Sequence, residues 1–231
     1  MTARVSYYSD VLCIWAYAGQ RRLDQLAETF GARIAVDLHF CSVFGDAWGK
    51  VGERWASKGG FEGFGRHVRE IAGRFPHVEV HDRVWLDARP RTSMSAHLFI
   101  KAVEIIEEEG AGGTAGLPPY PERLSTHAAW AVRRAFFAEA RDISDWAVLR
   151  EIAGGLGLDP DRVEARIGSS EAVARLAADW DLTQKHAIEG SPTLLMNEGR
   201  QRLFGNVGYR LIEANVQELL RGRTPDEASW C

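Results

Sequence analysis

The chain has 231 residues, of which 45% are hydrophobic and 26% charged, enough for one substantial core or for one domain carrying a large insertion. Its 28 Lys and Arg against 32 Asp and Glu leave a net charge of −4 with no long basic block, which argues against a phosphate-tracking surface for nucleic acid. No apolar run approaches the roughly 18 residues of a membrane span, no apolar signal core precedes the first strand-like segment, and three widely spaced cysteines do not make a secreted disulfide framework. The expectation is a soluble, cytoplasmic globular protein that contacts neither nucleic acid nor membrane.

In chain order, Arg4 to Ser9 reads as a strand, Ile14 to Phe30 as a helix closed by Gly31, and Arg33 to Val43 as a second strand that includes Cys41, expected to be structural. This is a strand–helix–strand unit with parallel strands, and Arg21 and Arg22 belong to a solvated helix face. From Gly45 to His186 the pattern is mostly helical, beginning with a Gly- and Trp-rich stretch through Phe64 whose shape the sequence does not dictate. Leu98, Phe99, Ala102, Ile105 and Ile106 have helical spacing up to Gly110, and Gly110 to Pro121 reads as an irregular loop. Further helices are expected at Pro121 to Arg141, Asp145 to Ala153 after a Ser144 cap, Pro160 to Ile167 after Asp159, and Ser170 to His186. Strands return at Thr193 to Asn197 and Gln201 to Phe204 around a Glu198-Gly199 turn, and Tyr209 to Arg221 forms a last helix.

Cys13 lies in Ser9-Asp10-Val11-Leu12-Cys13-Ile14-Trp15-Ala16-Tyr17-Ala18-Gly19, between the first strand and the first helix. A thiol there faces unpaired backbone amides and the positive end of the helix dipole, which favour a thiolate. The alternative is a small buried residue filling a strand-to-helix corner.

The segment from Cys13 to Leu23 resembles the active-site segment of the DsbA-like thioredoxin-fold oxidoreductases, especially the FrnE type, whose pattern is C-P-W-C-Y-x-G followed by a basic helix. Ile14 replaces the proline and Ala16 the second cysteine. With no thiol at position 16 the usual intramolecular disulfide cannot form within this motif, so the chain reads as a monothiol variant. Ala135-Phe136-Phe137-Ala138-Glu139-Ala140-Arg141-Asp142-Ile143-Ser144 is similar to the FrnE-type helix end, and Thr92-Ser93-Met94-Ser95-Ala96-His97 to the family's helix start near the catalytic face. The resemblance implies an α/β fold, thioredoxin-like with a large helical insertion. The thioredoxin-like part would be residues 1–44 and 187–231 and the insertion residues 45–186.

Gly190-Ser191-Pro192-Thr193 precedes the third strand. The resemblance implies a cis-proline at Pro192 facing the active-site helix, with Trp15 and Ser191 in contact with substrate. Leu203-Phe204-Gly205-Asn206 resembles the place where kappa-class glutathione transferases hold the γ-glutamyl carboxylate, so Asn206 is either a glutathione contact or an ordinary turn or cap residue. Cys231, the last residue, is either idle or the resolving thiol that position 16 lacks. His97 reads as a packed or surface residue rather than an acid–base partner, and Arg141 and Asp142 as structural. His77, Glu79 and His81 would share one face if extended, but with no further ligand a surface strand or loop is the reading, and no metal is expected.

The leading functional expectation is a thiol–disulfide oxidoreductase with Cys13 as nucleophile, resolved by glutathione as co-substrate or by Cys231. The alternatives are a glutathione-dependent transferase or isomerase related to the kappa-class and 2-hydroxychromene-2-carboxylate isomerase enzymes, and a non-catalytic thioredoxin-fold binding module.

Overall fold

A computed structural model describes residues 2–221. Cys231, the candidate resolving thiol, lies outside the described residues.

The sheet is built from the two ends of the chain. Strand β1 (Ala3–Ser9) pairs in parallel with β2 (Ile34–Phe40), Val5 opposite Val36 and Ser9 opposite Phe40. On its other side β1 pairs antiparallel with β3 (Thr193–Met196), which pairs antiparallel with β4 (Gln201–Phe204), giving the order β2-β1-β3-β4. The β3–β4 turn carries left-handed backbone at Asn197, Glu198 and Gly199, of which only the glycine accommodates it without steric cost.

Helix α1 (Ile14–Phe30) joins β1 to β2, and its apolar residues surround the axis because both sides of it are covered. Leu23, Leu26 and Phe30 pack with Val5, Tyr7, Val36, Leu194 and Met196 from one face of the sheet, together with Ile212 and Val216 of the C-terminal helix α8 (Tyr209–Leu220). Ile14, Ala16 and Tyr17 instead join the core of the intervening helices.

Those helices are α2 (Gly60–Ala72), α3 (Met94–Gly110), α4 (Leu124–Phe137), α5 (Trp146–Gly155), α6 (Pro160–Gly168) and α7 (Glu171–Lys185). Helix α3 packs against α4, α6 and α7, and α7 also reaches β2. Asp159 caps α6 as expected, with Pro160 in the first turn. The cap of α5 is Asp145, whose carboxylate accepts from Ala147 N at 2.9 Å, and not Ser144, whose amide and hydroxyl both donate to Asp142.

One strand departs from the sequence expectation, and two stretches whose form the sequence left open take a definite shape. The second strand stops at Phe40 because residues 41–44 turn to meet the β1–α1 loop. The Gly- and Trp-rich stretch contains a π-helical turn at Trp48–Glu53 before α2 begins. Residues 77–81 are not a strand: His77 Nε2 lies 3.1 Å from Ala18 O, Glu79 faces Arg134, and His81 accepts from Arg83 N, so the three side chains serve separate contacts.

Candidate active site

The site is assembled around the turn after β1. Asp10 O accepts from Cys13 N at 3.1 Å, closing the turn that starts α1. The Asp10 carboxylate is fully buried and accepts three hydrogen bonds: from Leu12 N at 2.9 Å, Phe44 N at 2.8 Å and Ser93 Oγ at 2.8 Å. One side chain thereby fixes the β1–α1 turn, the segment after β2 and the start of α3, with its charge met by donors as burial demands. Asp10 N in turn donates to Ser191 Oγ at 2.9 Å, linking this hub to the loop before β3.

Cys13 is the N-cap residue of α1, and its carbonyl accepts from Ala16 N and Tyr17 N, both at 3.1 Å. Its thiol donates to Ser191 O at 3.2 Å. The Ser191–Pro192 peptide bond is cis, and Gly205 N donates to Pro192 O at 2.8 Å, bringing the loop that carries Asn206 beside the proline. Cys13, Ser191 and Pro192 therefore meet in space although about 180 residues separate them in sequence. Trp15 is half-buried in the first turn of α1, its ring edge-on to Phe75 at 6.3 Å. Asn206 is exposed, and α8 begins three residues after it.

Position at a helix N-terminus alone predicts a thiol of lowered pKa, but here burial dominates. With Cys13 only 6% exposed, desolvation raises its pKa, opposed by the Ser191 side chain and by the backbone of Ala16 and Trp15, while the Asp10 charge adds to the rise. In this closed arrangement the sulfur is a thiol at neutral pH.

His97 packs below the turn, fully buried, its ring stacked on Phe40 at 4.5 Å. Its Nε2 accepts from Val11 N at 3.3 Å and lies 3.8 Å from Asp10 Oδ1. Burial lowers the His97 pKa to about 4, so the ring is neutral at physiological pH, as an acceptor Nε2 requires. His97 is thus a packed residue that shapes the β1–α1 turn without touching the sulfur. Arg133 is likewise 2% exposed and holds Ser9 Oγ at 2.9 Å and Gln20 Oε1 at 3.3 Å, joining α4 to both ends of the β1–α1 connection. Arg22, expected on a solvated face, is half-buried, its guanidinium 6.0 Å from the Phe75 ring.

Cys41 lies one residue beyond β2, its amide donating to Ser9 O at 3.1 Å, and burial pushes its thiol pKa up, with Asp10 and Cys13 adding to the effect. It lines a cleft of about 320 Å³ with Lys50, Arg54, Gln184, Glu189 and Gly190, the last directly before Ser191. Burial lowers the Lys50 pKa while Asp10, Cys13 and Cys41 pull it back up, which sets this ammonium beside the same group of residues. Sequence reading missed Lys50, Arg54 and Asp10. Lys50 and Arg54 come from the stretch whose shape was not legible, whereas an acid directly after a strand and three residues before a cysteine was a usable signal.

Residues 121–217 match the family model of the DSBA-like thioredoxin domain. The fold as a whole is the DsbA-like thioredoxin fold, and solved structures of that kind superpose along nearly the entire chain. A probable DsbA oxidoreductase from Streptomyces coelicolor aligns with a TM-score of 0.70 at 18% identity, covering 97% of this chain and 93% of that one. The cytosolic disulfide reductase DsbM from Pseudomonas aeruginosa, solved also with GSH, aligns with a TM-score of 0.66 at 21% identity over 93% and 98%. A 2-hydroxychromene-2-carboxylate isomerase aligns with a TM-score of 0.64 at 17% identity over 94% and 95%. No curated protein matches the sequence.

Proposed function

We propose that the protein is a thiol–disulfide oxidoreductase that works through the single thiol of Cys13, with glutathione as co-substrate. The observation that carries this reading is the contact of Cys13 Sγ with Ser191 O at 3.2 Å, a nucleophile at a helix N-terminus held against the loop of a cis-proline. A substrate strand that takes the place of this contact frees the sulfur of its hydrogen bond to the Ser191 carbonyl. The Ser191 hydroxyl, which accepts from Asp10 N, keeps its own proton available for the thiolate.

In the first step the Cys13 thiolate attacks one sulfur of a substrate disulfide, forming a mixed disulfide and expelling the other sulfur as a thiolate. Ala16 offers no second thiol, so a glutathione thiolate attacks the mixed disulfide and restores the Cys13 thiolate. The cleft bearing Lys50 and Arg54 supplies positive charge for a glutathione carboxylate, and Asn206 follows Gly205, whose amide donates to Pro192 O. That a disulfide reductase of this fold was solved with GSH supports the choice of co-substrate, and its cytosolic description supports a cytoplasmic location.

A second reading, a glutathione-dependent isomerase or transferase, draws on Ala16 and on the fold shared with 2-hydroxychromene-2-carboxylate isomerase. Incubating the reduced protein with glutathione and a substrate disulfide, and following reduction of the disulfide, separates the two. Turnover lost in Cys13→Ser supports the oxidoreductase, whereas no disulfide turnover, together with glutathione-dependent conversion of an electrophile that survives Cys13→Ser, supports the second reading.

A further inference from the structure

The face of the sheet opposite α1 is polar where a layered fold normally buries apolar side chains. Ser6 and Tyr8 of β1 and His39 of β2 point to that side, while Val5, Tyr7 and Val36 fill the core on the other. A polar sheet face is ordinarily left to solvent, yet here it lies beneath α3 and α7, and between sheet and helices runs a cavity of about 770 Å³. That volume is within the range of small-molecule sites.

The charge arrangement of the walls selects a ligand. Every lining carboxylate is already in an ion pair: Asp37 with Arg4 and Arg123, Asp179 with His39 and Lys101, Glu104 with Lys101, Glu108 with Arg175 and Glu198 with Arg200. A cationic ligand meets no free anion. Two guanidinium groups share Asp37 and two carboxylates share Lys101, which offset each other, and Lys185 lines the cavity without an anionic partner among the described residues. Tyr8 is 1% exposed, and its hydroxyl has no hydrogen-bond partner among the described residues. Its pKa is raised to about 12 by burial and by Asp179, which leaves it a proton donor. The hydroxyl opens onto the cavity without a protein acceptor, so it is free to donate to a ligand there. The Ser6 hydroxyl is also unpartnered, and His39 Nε2, turned from Asp179, can take either role.

We propose that this cavity binds a small organic carboxylate, its oxygens held by the Tyr8 and Ser6 hydroxyls and the Lys185 ammonium, its apolar part against Leu182 and Leu195. The site is separate from Cys13 and does not depend on the chemistry there.

The test is an NMR titration of ¹⁵N-labelled protein with 3-phenylpropionate, with 3-phenylpropanamide as the uncharged match. Saturable shifts centred on the amides of Ser6, Tyr8 and His39 are expected, with the amide binding at least about tenfold more weakly, as loss of a charged hydrogen bond implies. Tyr8→Phe, which removes only the hydroxyl, and Lys185→Gln, an exposed position, should each weaken binding by about tenfold with the rest of the spectrum unchanged. No saturable shift up to about 10 mM, equal binding of the uncharged match, shifts centred instead on Cys13 and Pro192, or full affinity in Lys185→Gln would each overturn the proposal.

Discussion

At the scale of single residues, burial governs the chemistry of the turn that carries Cys13. The Cys13 thiol is raised by desolvation and brought back by the Ser191 side chain and two backbone groups, so its reactivity should depend on that serine. Ser191→Ala is expected to move the pH midpoint of Cys13 alkylation by iodoacetamide upward by about one pH unit, the worth of one hydrogen bond to an anion. An unchanged midpoint would show that the hydroxyl does not serve the sulfur. His97 has the opposite sign. Its folded pKa of about 4 lies below the ordinary 6.5, so as pH falls the unfolded chain takes up the proton first. The stability it contributes is complete above about pH 6.5 and is lost as pH falls toward about 4, roughly 3 kcal/mol in all. Urea denaturation of the wild type against His97→Gln across that interval should show a steeper loss in the wild type.

At the scale of elements, the turn after β1 depends on a carboxylate that serves three segments. Asp10→Ala strands three donors, two of them backbone amides, and should cost about 3 kcal/mol in urea denaturation while also loosening the Ser191 loop. Gly63 marks a second constraint, because a Cβ there would lie 1.8 Å from Lys58 O where α2 starts. Gly63→Ala should destabilise by about 2 kcal/mol or more, since backbone must move to admit the methyl. These two residues also show what the sequence reveals and what it conceals. β1, α1 and β4 were legible because period, composition and breakers agree within each, down to the exact limits Ile14 to Phe30 and Gln201 to Phe204. The second strand was read three residues too long, because alternation continues through Val43 while Phe44 N is drawn to Asp10, a partner 34 residues away. The shape of residues 45–64 was hidden because close glycine packing, as at Gly63, leaves no periodic signal.

At the scale of the whole molecule, two chain ends far apart in sequence form one sheet, β1 and β3 meeting at its centre, and the helices between them cover the polar face that the sheet turns away from α1. The resemblance of the Cys13 and Pro192 segments to a known family pointed to the two as a pair, and the structure brings them together. The cations Lys50 and Arg54 were not, because their place beside Cys41 and Gly190 arises only when the helical stretch folds back on the sheet. No helix among the described residues is long and apolar enough to cross a membrane.

The most direct measurement is intact-mass spectrometry of the reduced protein exposed to oxidised glutathione at neutral pH, with Cys13→Ser as the control. A single glutathione adduct on the wild type, absent from Cys13→Ser and reversed by reduced glutathione, is the expected result. An unmodified wild type, or an adduct that persists in Cys13→Ser, would contradict thiol exchange at Cys13.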